Sequence, residues 1–309
     1  METIYILATA LLLDISFGEP PNAGHPVAWL GKLISLEMKL PPARSHTWQI
    51  VYGTTIVLGT TAVASALAFF LAAYLRTLAP WLYIFVCGLL LKLTFSMRGL
   101  IHSARKVRRF LMANQLPEAR RSLGTLVSRD TTSLDDNQIV AATVSSVAEN
   151  SNDSFIAPLF YFILFGLPGA VAYRVINTFD AMIGYRGRWE YLGKFAARLD
   201  DAANLIPARL SALIMVLAAA LCRMSPGRAW QTLLRDHGKT ESPNAGWPMS
   251  ALAGALEVSL EKTGHYRLGD DLRALNHGTI DRALKLVCTT AVLWSAILII
   301  TGGVKIAIT

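Results

Sequence analysis

The sequence predicts an all-α fold: a polytopic transmembrane helical bundle with polar loops and possible re-entrant half-helices. Three observations predict it. The 309 residues are 53% hydrophobic, with a mean hydropathy of +0.42. Only 16% are charged, against about 25% in soluble domains. Several stretches long enough to cross a bilayer carry no charge. On this reading residues 1–309 form a single integral membrane domain, with polar catalytic segments at about 98–154, 174–209 and 223–285.

Residues 4–17 are apolar apart from Asp14. They are short for a span of about 20 residues, so they form either a tilted helix or one extended by its flanks. Gly18-Glu19-Pro20-Pro21 then breaks the chain, because two prolines cannot continue a helix. Glu2 stands where a secretory signal carries Lys or Arg, so this segment is expected to be retained. Residues 51–75 are uncharged and make the clearest span, with Trp48 and Tyr74 near the two interfaces. Residues 81–97 contain one charge, Lys92. Residues 203–222 are long enough but include Arg209, and residues 286–304 cross without a charge.

Residues 156–173 are ambiguous. Pro158 and Gly166-Leu167-Pro168-Gly169 divide them into two pieces of roughly ten residues, each about half a bilayer long. A re-entrant pair buried in protein and a broken full span are both allowed. The loops 98–154 and 223–285 carry eight and nine Lys or Arg, and both belong on the cytoplasmic side. An even number of crossings must separate them. If the polar blocks build one site, which is the arrangement expected, the two apolar pieces dip in and return.

The net charge is +8. Cytoplasmic-loop Lys and Arg account for it, with attraction to an anionic substrate as a possible addition. Arg105-Lys106-Val107-Arg108-Arg109 is one short patch beside an apolar stretch, suited to lipid headgroups rather than nucleic acid. Cys87, Cys222 and Cys288 all lie in apolar stretches with no CxxC or Cys/His spacing, and are expected as core thiols. GxGxxG, HExxH and GxSxG are absent, and Gly238-Lys239-Thr240 lacks the leading glycine of a phosphate loop.

Acids, amides and arginines concentrate in residues 129–209, beside these apolar stretches, where ionisable groups need a use. Glu149, Asn150 and Asp153 fall on one helical face, a spacing that can hold Mg²⁺ or simply complement a helix N-terminus. Asp200 and Asp201 point about 100° apart on a helix. One of them can face a site, with Asn204 one turn beyond Asp200 joining it. Arg209 needs a phosphate or carboxylate, or an internal salt bridge to a nearby aspartate. Arg129 and Asp130 open a loop rich in short oxygen side chains, in which Ser133 can cap a helix beginning near Leu134. Asn177 and Asp180 are again one turn apart, and Gly184-Tyr185-Arg186-Gly187 suits phosphate. His25 can act as a base, but a lone His before Pro is more often satisfied by backbone.

Together these residues resemble one family. Asp14, His25-Pro26-Val27 and Gly31 look like its N-terminal signature, although Glu19 stands where that family's pattern carries Asp. The resemblance continues through Arg129-Asp130-Thr131, Ala148-Glu149-Asn150 with Asp153, and Ala172-Tyr173-Arg174 with Asn177-Thr178. Asp180 through Arg186, Arg198-Leu199-Asp200-Asp201 with Asn204, Pro207-Ala208-Arg209 and Trp247-Pro248-Met249-Ser250 complete it. The family is that of the adenosylcobinamide-phosphate synthases of cobalamin biosynthesis, and the likeness runs from about residue 11 to residue 270.

The resemblance implies an acid–amine ligase of the inner cell membrane. It joins the propionate carboxylate of adenosylcobyric acid to aminopropanol or its O-phosphate, with ATP as co-substrate and Mg²⁺ as cofactor. Expected partners are the corrinoid, the aminoalcohol, the lipid bilayer and other membrane enzymes of cobalamin assembly. The catalytic residues expected are Asp130, Glu149, Asp153, Asp180 and Asp200, with Glu149, Asp153 and Asp200 as metal ligands. Arg129, Asn150, Asn177, Arg186, Asn204 and Arg209 are expected to bind substrate or phosphate. A membrane transporter or corrinoid-handling scaffold is the alternative, because broken helices with buried charges also mark transporters.

Overall fold

A computed structural model describes the chain except for residues 20–23, 40–44, 186, 188 and 309, and except for the side chains after Gly302. The expected Pro20-Pro21 break and Arg186 therefore lie outside the described residues. Twelve α-helices run in order among those described. They are α1 (Glu2–Phe17), α2 (Pro26–Glu37), α3 (His46–Leu78), α4 (Pro80–Lys92), α5 (Met97–Met112) and α6 (Leu116–Leu123). Then come α7 (Asp136–Ser151), a π-helical turn (Asn152–Ile156), α8 (Ala157–Ile183), α9 (Lys194–Leu221), α10 (Pro226–Asp236) and α11 (Gly246–Leu256). An antiparallel hairpin, β1 (Leu260–Lys262) with β2 (Tyr266–Leu268), precedes α12 (His277–Ile308). Among the described residues five helical stretches are long and apolar enough to cross a membrane: His46–Leu78, Pro80–Met112, Asp136–Ile183, Lys194–Leu221 and His277–Gly302. The all-α membrane reading holds. The hairpin is an addition that three-residue strands are too short to announce by alternation.

The chain divides into two compact units. Unit 1 comprises Met1–Ser96, Ala157–Asn204 and Leu298–Thr309; unit 2 comprises Met97–Ile156 and Leu205–Ile297. In unit 1 a core of Ile34, Val57, Phe179, Ile183 and Leu192 joins α2, α3 and α8. Gly53 and Gly193 let backbones meet there, since a Cβ on either would collide with the carbonyl of Leu192 or of Ile183 respectively.

Helix α8 is not one rod. Gly166 leaves helical geometry at φ 68°, ψ −160°, and Pro168 follows. The rings of Tyr161 and Tyr173 stack with centroids 5.4 Å apart. Twelve residues of straight helix would separate them by about 18 Å. A Cβ on Gly169 would lie 2.6 Å from the Tyr161 carbonyl oxygen. The two limbs therefore fold back on each other at the Gly166–Gly169 break.

In unit 2, α7 begins at a capping box. Asp135 Oδ1 accepts from the Gln138 amide at 2.8 Å, and the Asp135 amide donates to Gln138 Oε1 at 2.9 Å. This corrects the expected cap at Ser133. Asp135 takes the position because its carboxylate complements the helix dipole and Gln138 reciprocates.

Candidate functional site

Unit 1 gathers a polar network around Asp200, which is 9% exposed. Helix α9 presents Asp200 and Asn204 one turn apart, so Asn204 Nδ2 reaches Asp200 Oδ2 at 3.0 Å. Asn177 Nδ2, from α8, donates to Asp200 Oδ1 at 3.3 Å. Tyr173 donates to Asn204 Oδ1 at 2.9 Å. Arg174 donates to Asn177 Oδ1 at 3.2 Å and to the Thr94 carbonyl at 2.6 Å. Tyr161 donates to the Ala203 carbonyl at 2.9 Å. Three expected residues, Asn177, Asp200 and Asn204, thus meet across α8 and α9. The carboxylate orients two amides, and Asn177 is held in turn by a guanidinium. Asp180 lies one turn beyond Asn177 on the same helix, packed close to Gly184.

A second network in unit 1 neutralises the ionisable groups that interrupt its apolar stretches. Lys92, 3% exposed, sits 2.6 Å from Glu19 Oε1 and 3.7 Å from Asp14 Oδ1. His25 caps α2: its Nδ1 accepts from the Val27 amide at 3.1 Å, so the ring proton is on Nε2 and is donated to Glu19 at 2.6 Å. Burial pushes the Glu19 carboxyl up, but the hydrogen bonds from His25, Lys92 and Ser96 outweigh it and hold the group down to about 2. With both ring nitrogens engaged, His25 orders the turn, the backbone-satisfied reading of a His before Pro.

In unit 2 the phenol of Tyr266, on β2, feels the charges of the expected residues Arg129 and Glu149. Burial pushes the Tyr266 phenol up, and the nearby Glu149 carboxylate adds to that. The Ser145 hydrogen bond and the Arg129 charge act against it. Asn150 donates to the Ser146 carbonyl and hydroxyl at 2.9 and 3.0 Å. Asp153 lies in the π-helical turn and accepts from Asn152 at 2.9 Å. Such widened turns are frequent at functional sites. Among the described residues no group of three or more His, Cys, Asp and Glu side chains gathers as a metal cluster.

Asp130 turns onto its own loop, accepting from the Thr132 amide and hydroxyl at 2.9 and 2.8 Å. Those hydrogen bonds, led by the backbone amide, lower its carboxyl below the ordinary value and make it a weaker base. Arg209 stacks over Trp247, 4.5 Å from the ring centroid. Its Nη1 donates to the Leu205 carbonyl at 2.5 Å and to Asn244 Oδ1 at 3.4 Å. Among the described residues it forms no ion pair, so the internal salt bridge offered as one alternative is not what satisfies it.

The family model described as CobD/Cbib protein matches residues 7–287. The chain belongs to this family. A cobalamin biosynthesis protein CobD of Dehalococcoides mccartyi (strain CBDB1) is 49% identical over 307 residues, covering 99% of each chain. A probable cobalamin biosynthesis protein CobD of Methanothermobacter thermautotrophicus is 41% identical over 299 residues, 96% of each chain. A cobalamin biosynthesis protein CobD of Klebsiella pneumoniae is 36% identical over 319 residues, 96% of this chain and 97% of the relative. No solved structure matches the chain. Membership of the CobD/Cbib family gives the chain a role in cobalamin biosynthesis, and its five long apolar helices make it a membrane protein.

Proposed function

We propose that this CobD/Cbib family member is an ATP-dependent ligase of the inner cell membrane. It forms the amide between the propionate carboxylate of adenosylcobyric acid and the amine of aminopropanol or its O-phosphate. The observation that carries the reading is membership of the CobD/Cbib family, together with the buried network of Asp200 with Asn177 and Asn204. A carboxylate is a poor acyl donor because oxide would have to leave. Transfer of the γ-phosphoryl group of ATP to a propionate oxygen makes an acyl phosphate and releases ADP. The amine nitrogen then attacks the acyl carbon, phosphate leaves with the C–O bond pair, and the nitrogen sheds a proton.

Phosphoryl transfer is mostly positioning and electrostatic stabilisation. Arg129 supplies fixed positive charge for phosphate oxygens. Arg209, flat on Trp247, is held for a planar anion, and Arg186 is assigned a phosphate by its loop composition alone. Glu149 and Asp153 offer hard oxygen donors, and Mg²⁺ takes one or two carboxylates with phosphate and water completing its shell; the donor chemistry fits. Mg²⁺ would neutralise charge on the transferring group. Asp200 already accepts an amide hydrogen on each oxygen, so we assign it to hold Asn177 and Asn204 toward polar groups of the substrate. Asp180 or Asp130 is assigned to take the ammonium proton, and the Thr132 hydrogen bonds lower the basicity of Asp130.

The test is amide formation by the purified protein in detergent, with adenosylcobyric acid, aminoalcohol and Mg·ATP. Stoichiometric ADP and amide, abolished in Glu149→Gln, supports the ligase. Product without ATP, or wild-type turnover by Glu149→Gln, refutes the mechanism.

A further inference from the structure

The proposed function leaves Arg174 without a duty, yet it fixes one end of the Asp200 network in unit 1. A guanidinium only donates hydrogen bonds, and an ionised carboxylate only accepts them. Asn177 stands between one of each. Its Oδ1 accepts from Arg174 Nη1 at 3.2 Å, and its Nδ2 donates to Asp200 Oδ1 at 3.3 Å. Both neighbours demand the same orientation, so the amide cannot turn over. Arg174 is held in its turn, because its Nε donates to the Thr94 carbonyl at 2.6 Å. The network is also graded in exposure. Tyr173 and Asn204 are buried, at 1% and 2%, whereas Arg174 and Asn177 are half-buried. One turn beyond Asn177, on its side of α8, Ala181 is exposed. Asn177 therefore stands at the open end.

An asparagine amide carries two hydrogens. Asp200 takes one from Asn177, and among the described residues no group accepts the other. We propose that Arg174 is a positioning residue of the substrate site: clamped against Asp200, it holds Asn177 so that the remaining amide hydrogen is offered to a carboxylate or carbonyl oxygen of the corrinoid. The identity of that ligand rests on the ligase reading; the positioning role rests on the hydrogen bonds that meet at Asn177. With Arg174 removed, the amide would be held from one side only and would swing about its bond to Asp200. An arginine present only to brace α8 against the Thr94 carbonyl would affect melting, not the affinity for one substrate.

The experiment compares wild type, Arg174→Met, Arg174→Lys, Asn177→Ala and the double variant Arg174→Met with Asn177→Ala, each full-length in detergent. Calorimetry measures affinity for adenosylcobyric acid and, separately, for Mg·ATP, alongside KM, kcat and melting temperature. We expect Arg174→Met and Asn177→Ala each to weaken corrinoid binding and raise its KM by about five- to tenfold, the worth of one net hydrogen bond. Mg·ATP affinity should not move, and kcat should stay within about threefold. Arg174→Lys, whose ammonium also only donates, should recover most of the loss. The double variant should lose no more than Asn177→Ala alone, as groups acting through one contact do. If Arg174→Met fails to fold, Arg174→Gln takes its place in the same cycle. Wild-type corrinoid affinity in a folded Arg174→Met, a further loss in the double variant, or a loss of Mg·ATP affinity in place of corrinoid affinity overturns the proposal. The expected binding pattern without amide formation by wild type refutes the ligase reading and leaves the positioning role standing. No corrinoid binding by wild type overturns both.

Discussion

Replacing Asp236 by asparagine should release the hairpin without unfolding the protein. Asp236 has no exposed surface. It accepts from Arg235 at 2.8 and 2.9 Å, from Lys239 at 2.6 Å and from the Gly269 amide at 2.8 Å. Burial alone would raise its carboxyl, but these donors outweigh burial and hold it down to about 2, against an ordinary 3.8. At about 1.4 kcal/mol per unit that gap corresponds to about 2.5 kcal/mol favouring the ionised, folded form, an upper figure that screening of the two half-exposed cations lowers to about 2 kcal/mol. The folded value is depressed, so the stabilisation is complete above the unfolded value near 4 and is lost as pH falls toward 2. Asparagine keeps the shape and loses the charge. The opening should be local, because the group anchors one hairpin, and amides of residues 260–269 should exchange roughly 30-fold faster near neutral pH. Hydrogen exchange read by mass spectrometry measures this, with α7 amides as the internal reference. The wild-type hairpin should also lose protection between pH 4 and 2, after correction for intrinsic rates, and the variant should not. Wild-type protection of 260–269 in Asp236→Asn would refute the tether.

Three further substitutions test unit 1. Lys92→Met removes the cation that Glu19 and Asp14 face, and should cost about 3–5 kcal/mol, as removing one partner of a buried pair does; a thermal melt within two degrees or so of wild type would contradict this. Gly166→Ala forces a side chain onto φ 68°, ψ −160°, a region all but reserved for glycine, at about 1–3 kcal/mol, and Gly169→Ala drives a Cβ into the Tyr161 carbonyl at about 1–3 kcal/mol. Both should lower the melting temperature, whereas Gly59→Ala, where nothing lies within 4 Å of the added Cβ, should not.

What could be read from the sequence was local. Uncharged length disclosed α3, although its observed bounds, His46–Leu78, exceed the apolar run at both ends because polar residues continue the helix at both ends. The pairing of Asp200 with Asn204 followed from spacing on one helix, and the break in α8 followed from Gly166 and Pro168. Asp135 was missed as a cap because Ser133, Asp135 and Asp136 all offer capping oxygens within four residues, and only the reciprocal bond from Gln138 decides among them. Lys92 was visible as an anomaly, but its partners come from another segment. Tyr266 was invisible for the same reason: the charges it feels, Arg129 and Glu149, lie far off in sequence, and a three-residue strand carries no period. Tyr173 and Arg174 stood in a recognised motif, but that motif could not disclose that they brace Asn204 and Asn177.

The bend in α8 is pinned three ways: by stacked phenols, by a hydroxyl on the Ala203 carbonyl and by another on Asn204. Straightening it would sever all three at once. A bilayer thicker or thinner than the protein's own would therefore be met by tilting or by local lipid adjustment. Asn204, and through it Asp200, would keep its place relative to the elbow across membranes of differing thickness.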